Sequence, residues 1–414
     1  MSHPDTPPDH AYAKTLRWWD GFTISLSIPA ALFVGMGYAI GFIGAWTALA
    51  LLAAVAVIAC LQNFVYSEMA GMFADKVGGI SMYANQAGAP APPSSARSPP
   101  SATGSPGRAR WPSTASRSAP SCRPSGSPAR PGRSPRGLAE VGFPHMVALG
   151  VLVLGWLLNV LGMRPAMWIM YATGFLVLIP IVVFALAPFV SGRWSASNLH
   201  WDIAASGFPA WQTAIAWMFV LAWSVYGIEA VASFVPEFRD TVRDSRIALR
   251  LAGVFVIAVY VLVPLGVGGD GRPGRRRRGA RVLLPGRVLQ PLPGWRHPHD
   301  DLPHRRLMLL MVMTTADGGR VLHGSALEGL TIKQLGELNR HQVPGRAMSL
   351  DLLVNVVLIL FVGEALAVIV AGIMGYILCH ILSLTGFLNL RRDQPDTHRP
   401  IKLGRPWVAV AALL

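Results

Sequence analysis

Long apolar stretches dominate the chain, and each is close to the length that crosses a lipid bilayer. A crossing helix needs about 20 mainly apolar residues. The hydropathy pattern predicts six such helices, at residues 22–43, 46–69, 143–162, 166–190, 210–235 and 247–267. A further apolar stretch, 349–388, is interrupted by Gly363 and Glu364 and predicts two more helices joined by a tight polar turn. The pattern therefore predicts an all-α, multi-pass membrane protein with about eight clear transmembrane helices.

The net positive charge of the chain is confined to two windows. Of the 414 residues, 52% are hydrophobic and 14% are charged, and the formal net charge is +15. Residues 88–137 hold eight arginines and no acidic residue, and residues 268–306 hold ten arginines against three aspartates. Basic and acidic residues balance elsewhere. Such a surplus is typical of proteins that bind nucleic acids or anionic lipids, so the origin of the two windows matters.

The loops between the predicted helices restrict the topology. Lys and Arg in short loops mark the cytoplasmic side of a membrane protein. The polar N-terminal tail is expected to be cytoplasmic, and so is the basic loop 239–250. The visible helices alone place that loop on the opposite side. One extra crossing between residues 88 and 142, and another between 268 and 320, correct the orientation. The third and eighth crossings are therefore predicted to be disrupted.

The composition of the two windows suggests how these crossings were lost. Ala, Gly, Pro, Arg and Ser make up 46 of the 50 residues from 88 to 137, and their codons are mostly rich in G and C. We interpret both windows as frameshifted translations, with the frame regained near Leu138 and Leu307. The alternative is a genuine Pro/Ser/Arg-rich loop, a composition that stays solvated and disordered.

The frameshift hypothesis makes a direct prediction about the gene. Translation of the other reading frames is expected to reveal an apolar run of about 20 residues within each window. The nucleotide sequence is the measurement, and the flanking segments, read in their present frame, are the control. Absence of an apolar run in both windows would contradict the hypothesis and favour the genuine loop.

The chain thus divides into seven predicted segments. In order, they are a cytoplasmic N-terminal tail (1–21), crossings one and two with the following loop (22–87), the first window (88–137), crossings four to seven (138–267), the second window (268–306), the end of crossing eight with crossings nine and ten and a cytoplasmic linker (307–404), and the start of an eleventh crossing that we expect to be cut short (405–414).

The first crossing reads "SIPAALFVGMGYAIGFIGAW" and is rich in glycine. Glycine weakens helical continuity, and a break at mid-membrane exposes main-chain N–H groups that suit a substrate carboxylate. We place the predicted break at Gly35, Met36 and Gly37. The alternative is close helix packing, because Gly37 and Gly41 form a GxxxG pair.

The predicted sixth crossing carries an acidic residue in an apolar span. Glu229 is costly in lipid and is therefore a functional candidate, while Gly227 predicts a break. Trp223 and Tyr226 offer flat faces to a substrate side chain or ammonium group, and Ser224 lies between them. The alternative is a structural glutamate that pairs with a neighbouring helix.

Several of these motifs resemble those of amino acid permeases of the amino acid-polyamine-organocation superfamily. "YSEMAGMFADKVGGISMY" resembles the signature A-E-L-x(4)-P-x-x-G-G-x-Y, although Ala74 replaces the usual proline. "FVLAWSVYGIEA" resembles the F-x-x-[FY]-x-G-x-E pattern of the sixth helix, and "TTADGGRVLHGSALEGL" resembles the exit of the eighth. The resemblance covers residues 15–86, 143–267 and 307–405.

The resemblance implies a five-plus-five inverted-repeat transporter fold, here incomplete, that works by alternating access. By this likeness Gly35, Met36 and Gly37 bind the substrate carboxylate, and Trp223, Ser224, Tyr226 and Gly227 surround the rest of the substrate. Glu229 is then the gating or proton-coupling residue. The expected partners are an amino acid or amine, the lipid bilayer of the cell membrane, and a coupling proton rather than sodium, with no nucleic acid.

Two other function classes compete with this interpretation. One is a non-transporting membrane protein whose basic arms bind RNA or anionic lipid. The other is a membrane enzyme, for which no nucleophile–base pair, phosphate loop or metal cluster is visible outside the two windows. We therefore expect no enzyme activity, no cofactor and no metal. With two crossings missing, we also expect the chain as written to show no uptake.

Overall fold

A computed structural model describes most of the predicted transmembrane part of the chain. The described residues are 12–88, 143–192, 194–203, 208–270, 302–361 and 365–414. The chain divides into two units, Met1–Ala89 with Val141–Leu414, and Pro90–Glu140, and all described residues belong to the first. Most of both basic windows, and the predicted turn at Gly363 and Glu364, lie outside the described residues.

The described residues form α-helices and 3-10 helices. The α-helices are α1 Trp18–Ser25, α2 Leu32–Ile43, α3 Ala45–Met72, α4 Gly79–Gly88, α5 Phe143–Val160, α6 Met163–Val190, α7 Ala210–Ala222, α8 Thr241–Gly269, α9 Leu302–Leu327, α10 Gly345–Phe361, α11 Ala365–Asp393 and α12 Pro406–Leu413. Short 3-10 helices occur at Ile28–Ala31, Ala196–Asn198, Ile228–Glu237 and Lys333–Gly336.

Four helices of the described part are long and apolar enough to cross a membrane by themselves. They are Ala45–Met72, Met163–Val190, Thr241–Gly269 and the Val370–Asp393 part of α11. At 1.5 Å per residue, a helix of 28 residues exceeds the ~30 Å of a bilayer core. Ala148–Val160 and Ala210–Ala222 are shorter apolar helices. The predicted all-α, multi-pass membrane architecture is confirmed, while the number of crossings remains a prediction.

Helices α3 and α8 pack closely through small residues. A Cβ added at Gly253 of α8 would lie 3.1 Å from the Cα of Cys60 in α3, so the two backbones approach directly. The buried Asn63 side chain donates a hydrogen bond to the Leu249 carbonyl at 3.1 Å. Close approach at small residues and interhelical polar bonds hold membrane helices together, because lipid supplies no hydrophobic drive between them. The packed helices α3 and α8 therefore support the elements around the candidate functional site.

The first predicted crossing is broken, but not where we predicted. Helix α1 ends at Ser25, and the chain passes through a turn and the 3-10 helix Ile28–Ala31 before α2 begins. The predicted break at Gly35, Met36 and Gly37 is wrong, because all three lie inside α2. Pro29 lacks an N–H group and interrupts α-helical bonding instead. The glycine-packing alternative is not supported at Gly41, where an added Cβ would meet nothing within 4 Å.

The sixth predicted crossing is broken at the expected place. Helix α7 ends at Ala222, residues 223–227 form a turn, and the 3-10 helix Ile228–Glu237 follows. Gly227 has a φ of 108°, in the left-handed region that favours glycine. The predicted break at Gly227 is confirmed.

The segment before α1 is tied to the end of this crossing by main-chain bonds. Leu16 and Phe238 form an isolated parallel bridge. The N–H of Leu16 donates to the Glu237 carbonyl at 3.0 Å, and the N–H of Arg239 donates to the Leu16 carbonyl at 2.8 Å. The start of the first crossing and the end of the sixth are therefore joined.

Candidate functional site

The two helix breaks lie against each other. The Ser25 hydroxyl, at the end of α1, donates a hydrogen bond to the Ile228 carbonyl at 3.0 Å. A Cβ added at Gly227 would lie 2.7 Å from the Cδ1 atom of Ile28, so only glycine fits this contact without a shift. The first and sixth crossings thus meet at the points where both lose regular α-helical bonding.

Glu229 lies just past the second break and is only 2% exposed. Its two carboxylate oxygens accept hydrogen bonds from the Gly227 N–H at 3.2 and 3.3 Å. The Nε2 atom of His380 in α11 lies 3.3 Å from Oε1. A carboxylate is costly to bury unless it is paired and hydrogen-bonded, and these partners meet that requirement.

His380 extends this arrangement toward α3. Its Nδ1 atom lies 2.6 Å from the hydroxyl of the fully buried Tyr66. The Tyr226 ring stacks on the imidazole with a centroid distance of 4.7 Å. Glu229, His380 and Tyr66 therefore lie next to one another as a buried row of polar groups. The alternative prediction was that Glu229 is a structural residue that pairs with a neighbouring helix. The approach of His380 in α11 fits such pairing, and the function of Glu229 stays a prediction.

A cavity of about 320 Å³ opens beside Glu229. This volume lies at the lower end of the ~300–1,000 Å³ range of small-molecule sites. Helices α4, α9 and α11 and the 3-10 helix after the second break contribute its walls. The lining residues are Ile80, Ser81, Glu229, Ala230, Ser233, Asp317, Val321, Gly372, Gly375, Tyr376 and Cys379.

The sequence-predicted site residues fall into three groups. Glu229 lines the cavity, whereas Trp223, Ser224, Tyr226 and Gly227 belong to the break beside it. The Ser224 hydroxyl donates to the Leu221 carbonyl at 2.7 Å, and the Tyr226 ring lies 5.5 Å from that of Tyr376.

Gly35, Met36 and Gly37 form the third group and are not among the lining residues. Met36 is buried in the hydrophobic core, and a Cβ added at Gly35 would touch the Leu221 side chain of α7 at 3.8 Å. These α2 residues therefore pack against neighbouring elements.

Sequence reasoning missed four side chains of the site: Tyr66, Asp317, Tyr376 and His380. Asp317 and His380 are ionisable residues inside apolar segments, which by default indicate function in a membrane protein. That signal is present in the sequence. The two tyrosines carry no comparable signal, because aromatic residues are common in apolar helices.

A fully buried ion pair lies next to the site. The Arg320 Nε atom lies 2.5 Å from Glu237 Oε1, with side-chain exposures of 0% and 3%. The guanidinium also donates to Glu237 Oε2 at 3.0 Å and to the Ala316 carbonyl at 2.8 Å, and it lies 4.1 Å from the Phe234 ring centroid. Helix α9 is thereby fixed to the end of the sixth crossing.

Tyr12 covers this ion pair from the N-terminal segment. Its ring lies 5.9 Å from the Arg320 guanidinium, and its hydroxyl is 2.9 Å from Nδ1 of His323. Burial raises the pKa of the Tyr12 hydroxyl, which therefore stays protonated. The neutral hydroxyl adds a hydrogen bond without adding charge.

Glu68, from the first permease-like signature, contacts the end of α11 and the segment that follows it. Its Oε2 atom accepts from Arg391 at 2.5 Å and from the Leu403 N–H at 2.8 Å, and its Oε1 lies 3.3 Å from Arg399. The glycine pair of the signature forms a turn, with φ values of 120° at Gly78 and 60° at Gly79. The signature thus has a structural role at the ends of α3, α4 and α11.

No group of three or more His, Cys, Asp or Glu residues suited to a metal ion occurs in the described part of the chain. Comparison with known proteins gives one match, to a protein family. No curated protein matches the chain. Residues 142–267 match the family described as amino acid permease. The matched stretch lies between the two basic windows and contains the broken sixth crossing.

Proposed function

We propose, from the match of residues 142–267 to the amino acid permease family, that this chain derives from a secondary active transporter. This match supports a membrane transporter that takes an amino acid substrate. The finer proposal is that an amino acid or related amine crosses the cell membrane by alternating access. The N-terminus is then cytoplasmic, as the basic loops predict.

The contact between the two helix breaks carries this proposal. In transporters built from inverted repeats, discontinuous helices at matching positions form the substrate site near mid-membrane. Ser25 and Gly227 bring the two breaks together, and Glu229 lies where the breaks meet a cavity. A continuous pair of helices would expose no main-chain groups at this point.

The residue roles follow from this arrangement. Because the first break spans residues 26–31, we propose that its main chain binds the substrate carboxylate, the role that the resemblance gave to Gly35, Met36 and Gly37. Trp223, Ser224, Tyr226 and Gly227 form the wall toward the substrate side chain. Glu229 gates the site and exchanges a proton with His380, which favours proton over sodium coupling.

Transport and binding have different requirements in this chain. The cavity is built by described residues, whereas we expect the two basic windows to disrupt the third and eighth crossings, although α9 begins at Leu302 within the second window. We therefore expect the chain as written to bind substrate without moving it. Restoring the reading frame across residues 88–137 and 268–306 is expected to restore uptake.

Reconstitution into liposomes tests this proposal. The frame-restored protein should show saturable uptake of at least one labelled amino acid or amine, stimulated by an inward proton gradient. Glu229→Gln in that protein should lower gradient-driven uptake about tenfold or more, since general acid–base groups typically contribute that much or more. Lys14→Gln, on the exposed N-terminal segment, is the control and should leave uptake unchanged.

Three outcomes would count against the proposal. Absence of uptake by the frame-restored protein would contradict the transporter function. Uptake that depends on a sodium gradient would contradict proton coupling. Saturable uptake by the chain as written would contradict the expected requirement for the two missing crossings.

A further inference from the structure

The cavity beside Glu229 has a distinctly acidic lining. Glu229 and Asp317 both contribute carboxylates, and Ser81, Ser233 and Tyr376 contribute hydroxyls. None of its described lining residues is Lys or Arg. Two carboxylates in a low-dielectric site strongly favour a positive charge between them. The cavity therefore favours a cationic ligand over an anionic one.

The two carboxylates differ in how far their hydrogen-bonding capacity is used. Glu229 accepts hydrogen bonds from the Gly227 N–H and faces the His380 imidazole. Oδ1 of Asp317 is shielded from solvent and has no hydrogen-bond partner among the described residues. A buried acceptor without a partner costs free energy, which a bound donor recovers.

Arg320, the arginine closest to Asp317 in the sequence, already pairs with another carboxylate. Arg320 follows one helical turn later, and its guanidinium is engaged by both carboxylate oxygens of Glu237. Asp351 of α10 lies on the other side of Gly318, 3.0 Å from the position of an added Cβ, and brings another negative charge near α9. The charge of Asp317 is thus left for a ligand.

The remaining walls indicate which cation fits. Ile80, Ala230 and Val321 are apolar, and Gly372 leaves space on the α11 side. An organic ammonium group pairs with one or two carboxylates and places its carbon chain on apolar surface, and this lining offers both. The ring of Tyr376 offers a further favourable contact for a cation.

We propose that the cavity binds the protonated amino group of an aliphatic amine or of a cationic amino acid side chain, with Asp317 as the direct ion-pair partner. This proposal rests on the proposed transport function and specifies its substrate class. His380 keeps Glu229 occupied, so that Asp317 provides the open acceptor for the ligand.

Equilibrium binding to the purified full chain in nanodiscs tests the proposal. Labelled cadaverine and labelled lysine are the probes, and unlabelled leucine, glutamate and sodium chloride are the competitors. Cadaverine and lysine should bind and displace each other, whereas leucine and glutamate should compete at least about tenfold more weakly. Asp317→Asn should weaken cadaverine binding about 10- to 100-fold, as expected for a lost charge-assisted contact.

Two further variants separate binding from folding. Asp351→Asn removes a nearby carboxylate outside the cavity lining and should change the affinity less than twofold. Val321→Lys places an ammonium group four residues after Asp317, on the same face of α9, where it can pair with that carboxylate. This variant should lose cadaverine binding while it keeps or raises the melting temperature of the protein.

The outcomes distinguish this proposal from the transporter proposal. Equal binding of leucine and cadaverine, unaffected by Asp317→Asn, would overturn the cation assignment and leave transport intact. Competition by sodium but not by potassium chloride would also overturn it, in favour of a metal ion. Asp317-dependent cadaverine binding without uptake by the frame-restored protein would support the cation site and contradict transport.

Discussion

Replacement of Arg320 by methionine is expected to lower the free energy of unfolding by about 3–5 kcal/mol. The substitution removes the only charge that pairs with Glu237 within the described part of the chain, and both side chains are almost completely buried. It also removes the hydrogen bond to Ala316 and the contact with the Phe234 ring. Titration with SDS in mixed micelles measures the loss.

Two further variants test whether the loss of stability comes from the unpaired buried charge of Glu237. Arg320→Met combined with Glu237→Met should recover most of the lost stability, because the main cost is an unpaired buried charge. Arg392→Met disrupts an exposed pair with Asp393 and should leave stability nearly unchanged, because solvent screens an exposed ion pair. Equal losses at Arg320 and Arg392, or no recovery in the double variant, would contradict the role of the buried pair.

Substitution of Gly227 by alanine is expected to cost roughly 2–5 kcal/mol. A non-glycine residue in a left-handed conformation costs about 1–2 kcal/mol, and forcing a methyl group into a packed contact costs about 1–3 kcal/mol. Gly227 has a φ of 108°, and its added Cβ would lie 2.7 Å from Ile28. The same SDS titration measures the effect.

Gly41→Ala is the matched control, because an added Cβ there meets nothing within 4 Å and the residue lies in the regular helix α2. It should not destabilise the protein. Ile28→Ala in the Gly227→Ala background should restore the part of the loss that is due to crowding, but not the backbone part. Similar effects at Gly227 and Gly41 would mean that the two breaks do not touch as described.

The sequence predicted the class of fold and one of the two breaks for clear physical reasons. Apolar stretches of bilayer length identify membrane helices, since backbone groups in lipid must be satisfied within the helix. At Gly227 a glycine followed by a buried acid marked the second break correctly. At the first break, the cluster Gly35, Met36 and Gly37 was misleading, because glycine alone does not end a helix in lipid. Pro29, which lacks an N–H group, was the better indicator.

The site could be predicted only in part. Glu229 was identifiable because an isolated acid in an apolar span is costly. Its partner His380 follows 151 residues later, and a single sequence does not specify which helices become neighbours. Asp317 lies in a stretch that resembled a helix exit, so its position on the cavity emerged only from the packing of α9 against α4 and the 3-10 helix Ile228–Glu237.

The main-chain bridge between Leu16 and Phe238 couples movement of the N-terminal segment to movement of the sixth crossing. Lys14 is exposed two residues before that bridge. A fluorophore on Lys14→Cys, in a background without the native cysteines, would travel with residues 228–237 whenever they tilt. Single-molecule energy transfer from this position would then report rearrangement of residues 228–237 directly, even in a protein that moves no solute.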